Sequence, residues 1–131
     1  MFATIATVSG AVFLLAYAFQ AHDFRIRYVL RYSDRTMDPT YLWTALWGGQ
    51  DGSLLWWLFL LSLYSLGFTF WIRKKHEELQ PWIFAVLSSI QGFFGVLLLF
   101  AANPFAPGPM APVPVDGEGL NPLLQNYWMA I

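Results

Sequence analysis

The sequence predicts an all-α membrane protein with about three transmembrane helices, a short interfacial helix and a Pro-rich external tail, and three observations carry that prediction. Of its 131 residues, 57% are apolar and 11% are charged, against about 25% charged in an average soluble protein, so the chain has too little polar surface to cover itself in water. The apolar residues fall in long uncharged runs, Met1 to Ala21, Gly52 to Ile72 and Leu79 to Val115. A hydrocarbon core is crossed by about 20 residues at ~1.5 Å rise, and three segments meet that requirement.

The first span is expected over about 2–20. It has no basic n-region and is long for the apolar part of a signal peptide, so it reads as a spanning helix that ends where His22, Asp23 and Arg25 enter. An external loop, 21–52, follows. From Phe24 to Tyr32 apolar residues alternate with basic ones and β-branched and aromatic side chains abound, which predicts a short extended segment. Ser33 to Pro39 reads as a turn, and Thr40 to Trp47 as a short interfacial helix with Trp43 and Trp47 on one face.

Gly48-Gly49-Gln50-Asp51-Gly52 breaks the pattern, and Ser53 is placed to cap a second span over about 53–72. Arg73-Lys74-Lys75 sets cations at the negative end of that helix, within a loop over 73–81. Pro81 opens a third span, about 82–102, where its missing N–H is harmless. The tail, 103–131, is dense in proline from Pro104 to Pro114 and so extended; Asp116 to Gly119 makes a turn, and Leu120 to Ile131 is apolar and aromatic. Counting cations leaves the orientation open, with four arginines in the first loop against Arg73, Lys74 and Lys75 in the second. The tail lacks Lys and Arg after Ala102, which favours placing it and the first loop outside.

Composition also excludes chemistry. With no cysteine there is no disulfide, no thiolate metal site and no C-x-x-C-H haem attachment in this chain. The net charge of −1 argues against a nucleic-acid partner. Neither His22 nor His76 has a partner at ligand spacing, so no metal site is assigned. Ser88, Gln91, Gly92 and Gly95 share one face of the third span, which suits close helix packing with Gln91 hydrogen-bonded to a neighbour. A conduction path is disfavoured because no acid, base or histidine lies at that depth.

Two features invite a functional reading. The seven tryptophans fit an interfacial aromatic belt, or else a flat platform on which a porphyrin stacks. The glycines of Gly48 to Ser53 imply close backbone approach or positive φ, and serve either a re-entrant turn with an Asp cap or a backbone cradle beside a ligand. The arginines of the first loop could pair with haem propionates or lipid phosphates, although a solvated face is their default role.

Trp47-Gly48-Gly49-Gln50-Asp51-Gly52-Ser53-Leu54-Leu55-Trp56 and Asp116-Gly117-Glu118-Gly119-Leu120-Asn121-Pro122-Leu123-Leu124-Gln125-Asn126 closely resemble the CcmF/NrfE family of cytochrome c-type biogenesis proteins. His22-Asp23-Phe24 through Tyr28-Val29, and Asn103-Pro104-Phe105, support the match in the same order. Asp51 stands where that family more often has Glu, which keeps the carboxylate. The resemblance implies part of a haem lyase subunit in the bacterial cytoplasmic (inner) membrane, or the mitochondrial inner membrane if organellar. It further implies haem as cofactor, and as partners membrane lipid, other cytochrome c maturation subunits, a haem chaperone and apocytochrome c. It also implies that the first loop and the tail are external and the 73–81 loop internal.

By the same resemblance the chain is an N-terminal piece, whether a fragment, a split gene product or a truncated form, with the axial histidine ligands beyond Ile131. The expected haem-side surface comprises Trp43, Trp47, Gly48, Gly49, Gln50, Asp51, Gly52, Ser53, Asn121, Pro122, Leu123, Leu124 and Gln125. These residues would position haem and partner, since no nucleophile or acid–base pair is visible in the chain. The competing readings are a non-catalytic membrane subunit that only packs through the Ser88/Gln91/Gly92/Gly95 face, and a small transporter component, disfavoured by the absence of mid-membrane charges.

Overall fold

A computed structural model describes residues 2–72, 77–109 and 112–125. Its regular elements among the described residues are helices, in the order α1 (Phe2–Gln20), α2 (Arg27–Tyr32), α3 (Pro39–Ala45), α4 (Gln50–Ile72) and α5 (Gln80–Phe100), with single 3-10 turns at Glu77–Leu79 and Pro122–Gln125. Three helices are long and apolar enough to cross a membrane, as the uncharged runs require. The cationic segment Arg73 to His76 and the end of the tail after Gln125 lie outside the described residues.

The spans form an open row with α4 in the middle, packed by α1 on one side and α5 on the other. Val8, Val12, Leu15, Ala16 and Phe19 recur at three- and four-residue spacings and are the buried stripe of α1. They belong to one core cluster with Leu55 and Leu58 of α4. Only 6% of the third span is buried, so most of its apolar surface faces outward, as expected of a helix whose solvent is hydrocarbon.

Gln91 is, with Leu98, the exception on α5. It is buried, and its Nε2 donates to Ser65 Oγ of α4 at 2.9 Å, the neighbour-bonded role expected of it. Gly92 and Gly95 have no atom of another element within 4 Å of where a Cβ would stand, so the close helix packing expected of them is not made among the described residues. Gln91→Leu is expected to lower stability by about 1 kcal/mol, the scale of an interhelical hydrogen bond in lipid, with Ser65 Oγ still donating to Leu61 O at 2.7 Å. Thermal unfolding in detergent measures it.

Outside the spans lies a compact cap. The 24–32 segment, expected to be extended, is extended only at Ile26, which bridges to Pro107 of the tail; Arg27–Tyr32 is helical. Burial decides the difference. One side of α2 sinks Tyr28, Val29 and Leu30 into the core while Arg27 and Arg31, four apart, stay exposed, so tertiary packing overrides β propensity. Asp38 caps α3 by accepting from Thr40 N at 2.8 Å, with Pro39 in the first turn. Gln50 rather than Ser53 begins α4. Ser53 does not cap it, because its hydroxyl donates back to Trp47 O at 2.7 Å.

His22 ends α1. Its φ of +49° is left-handed, and the bonds His22 N to Phe19 O and Asp23 N to Ala18 O form the paired closure that usually takes glycine there. Beyond α5 the proline-rich tail returns across the cap. Arg27 N donates to Ala106 O and Gly108 N to Arg25 O at the start of α2, while Glu118 N donates to Leu30 O and Gly119 N to Ser33 O at its end. One strap thus holds both ends of a six-residue helix that is too short to be stable alone.

Candidate functional site

The turn between α3 and α4 is built around Tyr28. Its side chain is 3% exposed, and its hydroxyl accepts from Gly49 N at 3.0 Å while lying 3.2–3.3 Å from the carbonyl oxygens of Ala45, Leu46 and Gly49. Burial pushes the Tyr28 phenol well above its ordinary range, so it stays a neutral donor. The glycines serve close approach rather than positive φ, since among the described residues Gly119 is the glycine with positive φ. A Cβ on Gly49 would strike the Tyr32 ring, one on Gly52 the Leu46 carbonyl and the Tyr28 phenol, and one on Gly48 would come within 3.0 Å of Leu120 Cδ1. The cradle formed by Gly49 and Gly52 is therefore occupied by two tyrosines of α2, whose rings pack tilted by 41° with centroids 4.7 Å apart.

The strap delivers the second motif to the first. Leu120 is buried against Gly48, and the 3-10 turn Pro122–Gln125 follows, closed by Gln125 Nε2 donating to Leu120 O at 2.9 Å. Beside this contact a polar cleft is lined by Arg31, Tyr32, Glu118, Gly119 and Asn121. The sequence singles out neither Tyr32 nor Glu118, and Arg31 only as one of four first-loop arginines; Arg31 and Tyr32 lie on a helix where the alternation predicts an extended segment.

Trp47 is half-buried and packs on Trp56 at 5.3 Å, which packs on Phe59 at 5.4 Å. Trp43 is 52% exposed on α3, so the two tryptophans expected on one face sit in different surroundings, because α3 ends at Ala45, between them. Trp57, Trp71 and Trp82 are also exposed, which fits the belt; Trp47 and Trp56 are the pair with inward-facing ring surface. Asp51 is half-buried in the first turn of α4, where the helix dipole favours its charge, and Gln50 is exposed. Leu120 is thus brought against Gly48, while Trp43 stands exposed on α3.

Asp116 locks the strap. Its Oδ1 accepts from Arg35 N at 2.9 Å and from Gly117 N at 2.8 Å, and those amide bonds, Arg35's first, hold its carboxyl below the usual 3.8. A lowered folded pKa contributes stability that is present above the unfolded value and is lost as pH falls through the folded one. The carboxyl is expected to titrate below the usual carboxylate range by ¹³C NMR, with faster amide exchange at Gly117 only below that midpoint; Asp116→Ala, which removes the acceptor of both amide bonds, is expected to give the fast exchange at neutral pH.

The fit to a large planar cofactor is partial. Exposed and half-buried indoles, the Arg31 guanidinium and the Asn121 amide offer stacking and polar contacts. The tyrosine-filled cradle leaves no backbone seat at Gly49 or Gly52, and no group of three or more metal-ligating side chains exists among the described residues. His22 Nδ1 is buried without a hydrogen-bond partner, so it lacks the second partner that normally orients a ligating imidazole.

No family model matches the chain, and no solved structure matches it. Curated proteins do. The cytochrome c-type biogenesis protein NrfE of Haemophilus influenzae is 39% identical over 94% of this chain and 19% of its own length. The CcmF protein of the same organism is 32% identical over 96% of this chain and 19% of its own, and that of Escherichia coli 31% identical over 92% and 18%. The chain spans about a fifth of the length of the curated relatives it matches.

Proposed function

Because the chain belongs to the CcmF/NrfE family of cytochrome c-type biogenesis proteins over the part it spans, we propose that it works in cytochrome c maturation, as part of a haem lyase subunit that presents haem on the outer face of a membrane for covalent attachment to apocytochrome c. The membrane is the bacterial cytoplasmic one, as befits bacterial relatives and three spanning helices, with the cap and its strap outside and the 73–81 loop inside. Its partners are membrane lipid, a haem chaperone, the other maturation subunits and apocytochrome c.

The observation that carries this reading is the meeting of the two motifs. Trp47 to Ser53 and Asn121 to Gln125 are far apart in sequence, and the contact of Leu120 with Gly48 supports reading them as one surface. Haem supplies the iron and the vinyl groups that become attached; this chain's residues supply placement. Trp47 and Trp43 offer ring faces, Asp51 a fixed negative charge, and Asn121 and Gln125 amides at the rim.

Trp47→Ala and Asp51→Ala are expected to lower covalent haem on c-type cytochromes by about tenfold or more, the scale of a misplaced reacting partner, with unchanged membrane level of the protein. Haem staining and immunoblotting measure the two quantities. Normal cytochrome c yield in both variants would contradict the site. A packing subunit without a ligand surface predicts the opposite pattern, with damage from bulky residues at Gly92 and Gly95, which stand open on α5, and none at Trp47.

A further inference from the structure

We propose that Tyr28 is a positioning residue, whose buried hydroxyl pins the turn between α3 and α4 and so sets where Trp47 and Asp51 stand. For its consequence in maturation this rests on the haem-presentation reading above. A phenol carries one proton and two lone pairs. At the junction of α3 and α4 that hydroxyl meets the needs of both helices: carbonyls at the end of α3 have no intrahelical partner, and neither do the first amides of α4. Tyr28 accepts from Gly49 N and shares its proton among the carbonyls of Ala45, Leu46 and Gly49.

The phenol is itself held from three sides. Phe19 of α1 meets its ring edge-on at 5.7 Å, Tyr32 packs on it at a tilt, 4.7 Å between centroids, and Gly52 lies so close that a Cβ there would strike the phenol. Tyr28 thereby ties α1, α2, α3 and α4 at one point. Trp47 and Asp51 flank Gly49 at two residues on either side, and the Trp47 ring packs on Trp56 in register with that turn. A phenylalanine at 28 would keep the ring contacts and remove the pin, leaving the Gly49 amide and the Leu46 carbonyl without that partner, while Ala45 O keeps Gly48 N and Gly49 O keeps Ser53 N.

The test compares Tyr28→Phe with the wild-type chain and with Trp47→Phe, reading membrane level, far-UV helicity, the near-UV circular dichroism of the tryptophans and covalent c-type haem. Wild-type level and helicity are expected, with the near-UV signal of the Trp47–Trp56 pair reduced toward that of Trp47→Phe, and covalent haem lowered by about tenfold or more. A core-packing role alone would leave the near-UV signal and the yield intact, since Phe fills the same space; an unchanged spectrum overturns the pin. A changed spectrum with normal haem yield overturns its consequence for maturation. If Tyr28→Phe does not accumulate, Gly49→Ala displaces the same turn through the Tyr32 ring while keeping the Tyr28 hydroxyl. It is expected to give the same spectral loss, and an unchanged spectrum there also overturns the pin.

Discussion

Gly52→Ala is expected to destabilise the protein by about 3 kcal/mol, at the upper end of what an extra methyl in a packed site brings. Its Cβ would land on the Leu46 carbonyl oxygen and the Tyr28 hydroxyl, and 2.7 Å from Tyr28 Cζ. Neither neighbour can yield easily. The first is backbone, and the second is a buried ring packed against Phe19 and Tyr32. Relief would require α3 and the start of α4 to separate, breaking the Tyr28 bonds as well. Gly10→Ala and Gly67→Ala provide the contrast: both glycines lie in spanning helices with nothing within 4 Å of the new atom, and each change should be neutral or stabilising by about 0.5–1 kcal/mol through helix propensity. Thermal unfolding of the three variants in detergent decides it. A Gly52→Ala protein as stable as Gly67→Ala would mean that the cap does not hold the close approach described.

Gly117→Ala is expected to lift the strap from α2. The added methyl would fall on the Ser33 carbonyl oxygen and 2.9 Å from the Leu30 oxygen, the two acceptors that Gly119 N and Glu118 N use at 3.2 and 2.8 Å. Two net hydrogen bonds amount to about 2 kcal/mol. The loss should be local, because the strap's other attachment, at Ala106 and Gly108, is at the far end of α2. Hydrogen exchange should accelerate at 116–120 and at the end of α2 while α1 and α4 keep their protection, and Leu120 should leave Gly48. Uniform protection of 116–120 in the variant would contradict the strap.

The spanning helices were legible because hydrocarbon imposes a length and a polarity that uncharged runs display directly. Gln91 was legible for the same reason, since a buried amide in such a run needs a partner; that the partner is Ser65 was not, because nothing local to either residue encodes which helix is adjacent. The helix at Arg27–Tyr32 was misread because alternation of basic and apolar residues has period two over a few residues, whereas its four-residue Arg27–Arg31 spacing is helical. What settles it is burial of Tyr28, Val29 and Leu30, a tertiary fact.

The glycines of 48–52 signalled a close approach correctly, and the partner that approaches was not legible: Tyr28 and Tyr32 lie on that misread segment, and Leu120 opens an apolar stretch beyond the proline-rich tail whose neighbour no local pattern encodes. The motif resemblance supplied what local patterns could not, and relatives 31–39% identical over more than nine-tenths of the chain bear out the family.

The most direct test of a role in cytochrome c maturation is the covalent haem carried by c-type cytochromes in cells from which this gene has been deleted, compared with cells to which it has been restored. Loss of covalent c-type haem on deletion, with b-type haem spectra unchanged and recovery on restoration, is the predicted result. Undiminished c-type haem in the deleted cells would contradict it.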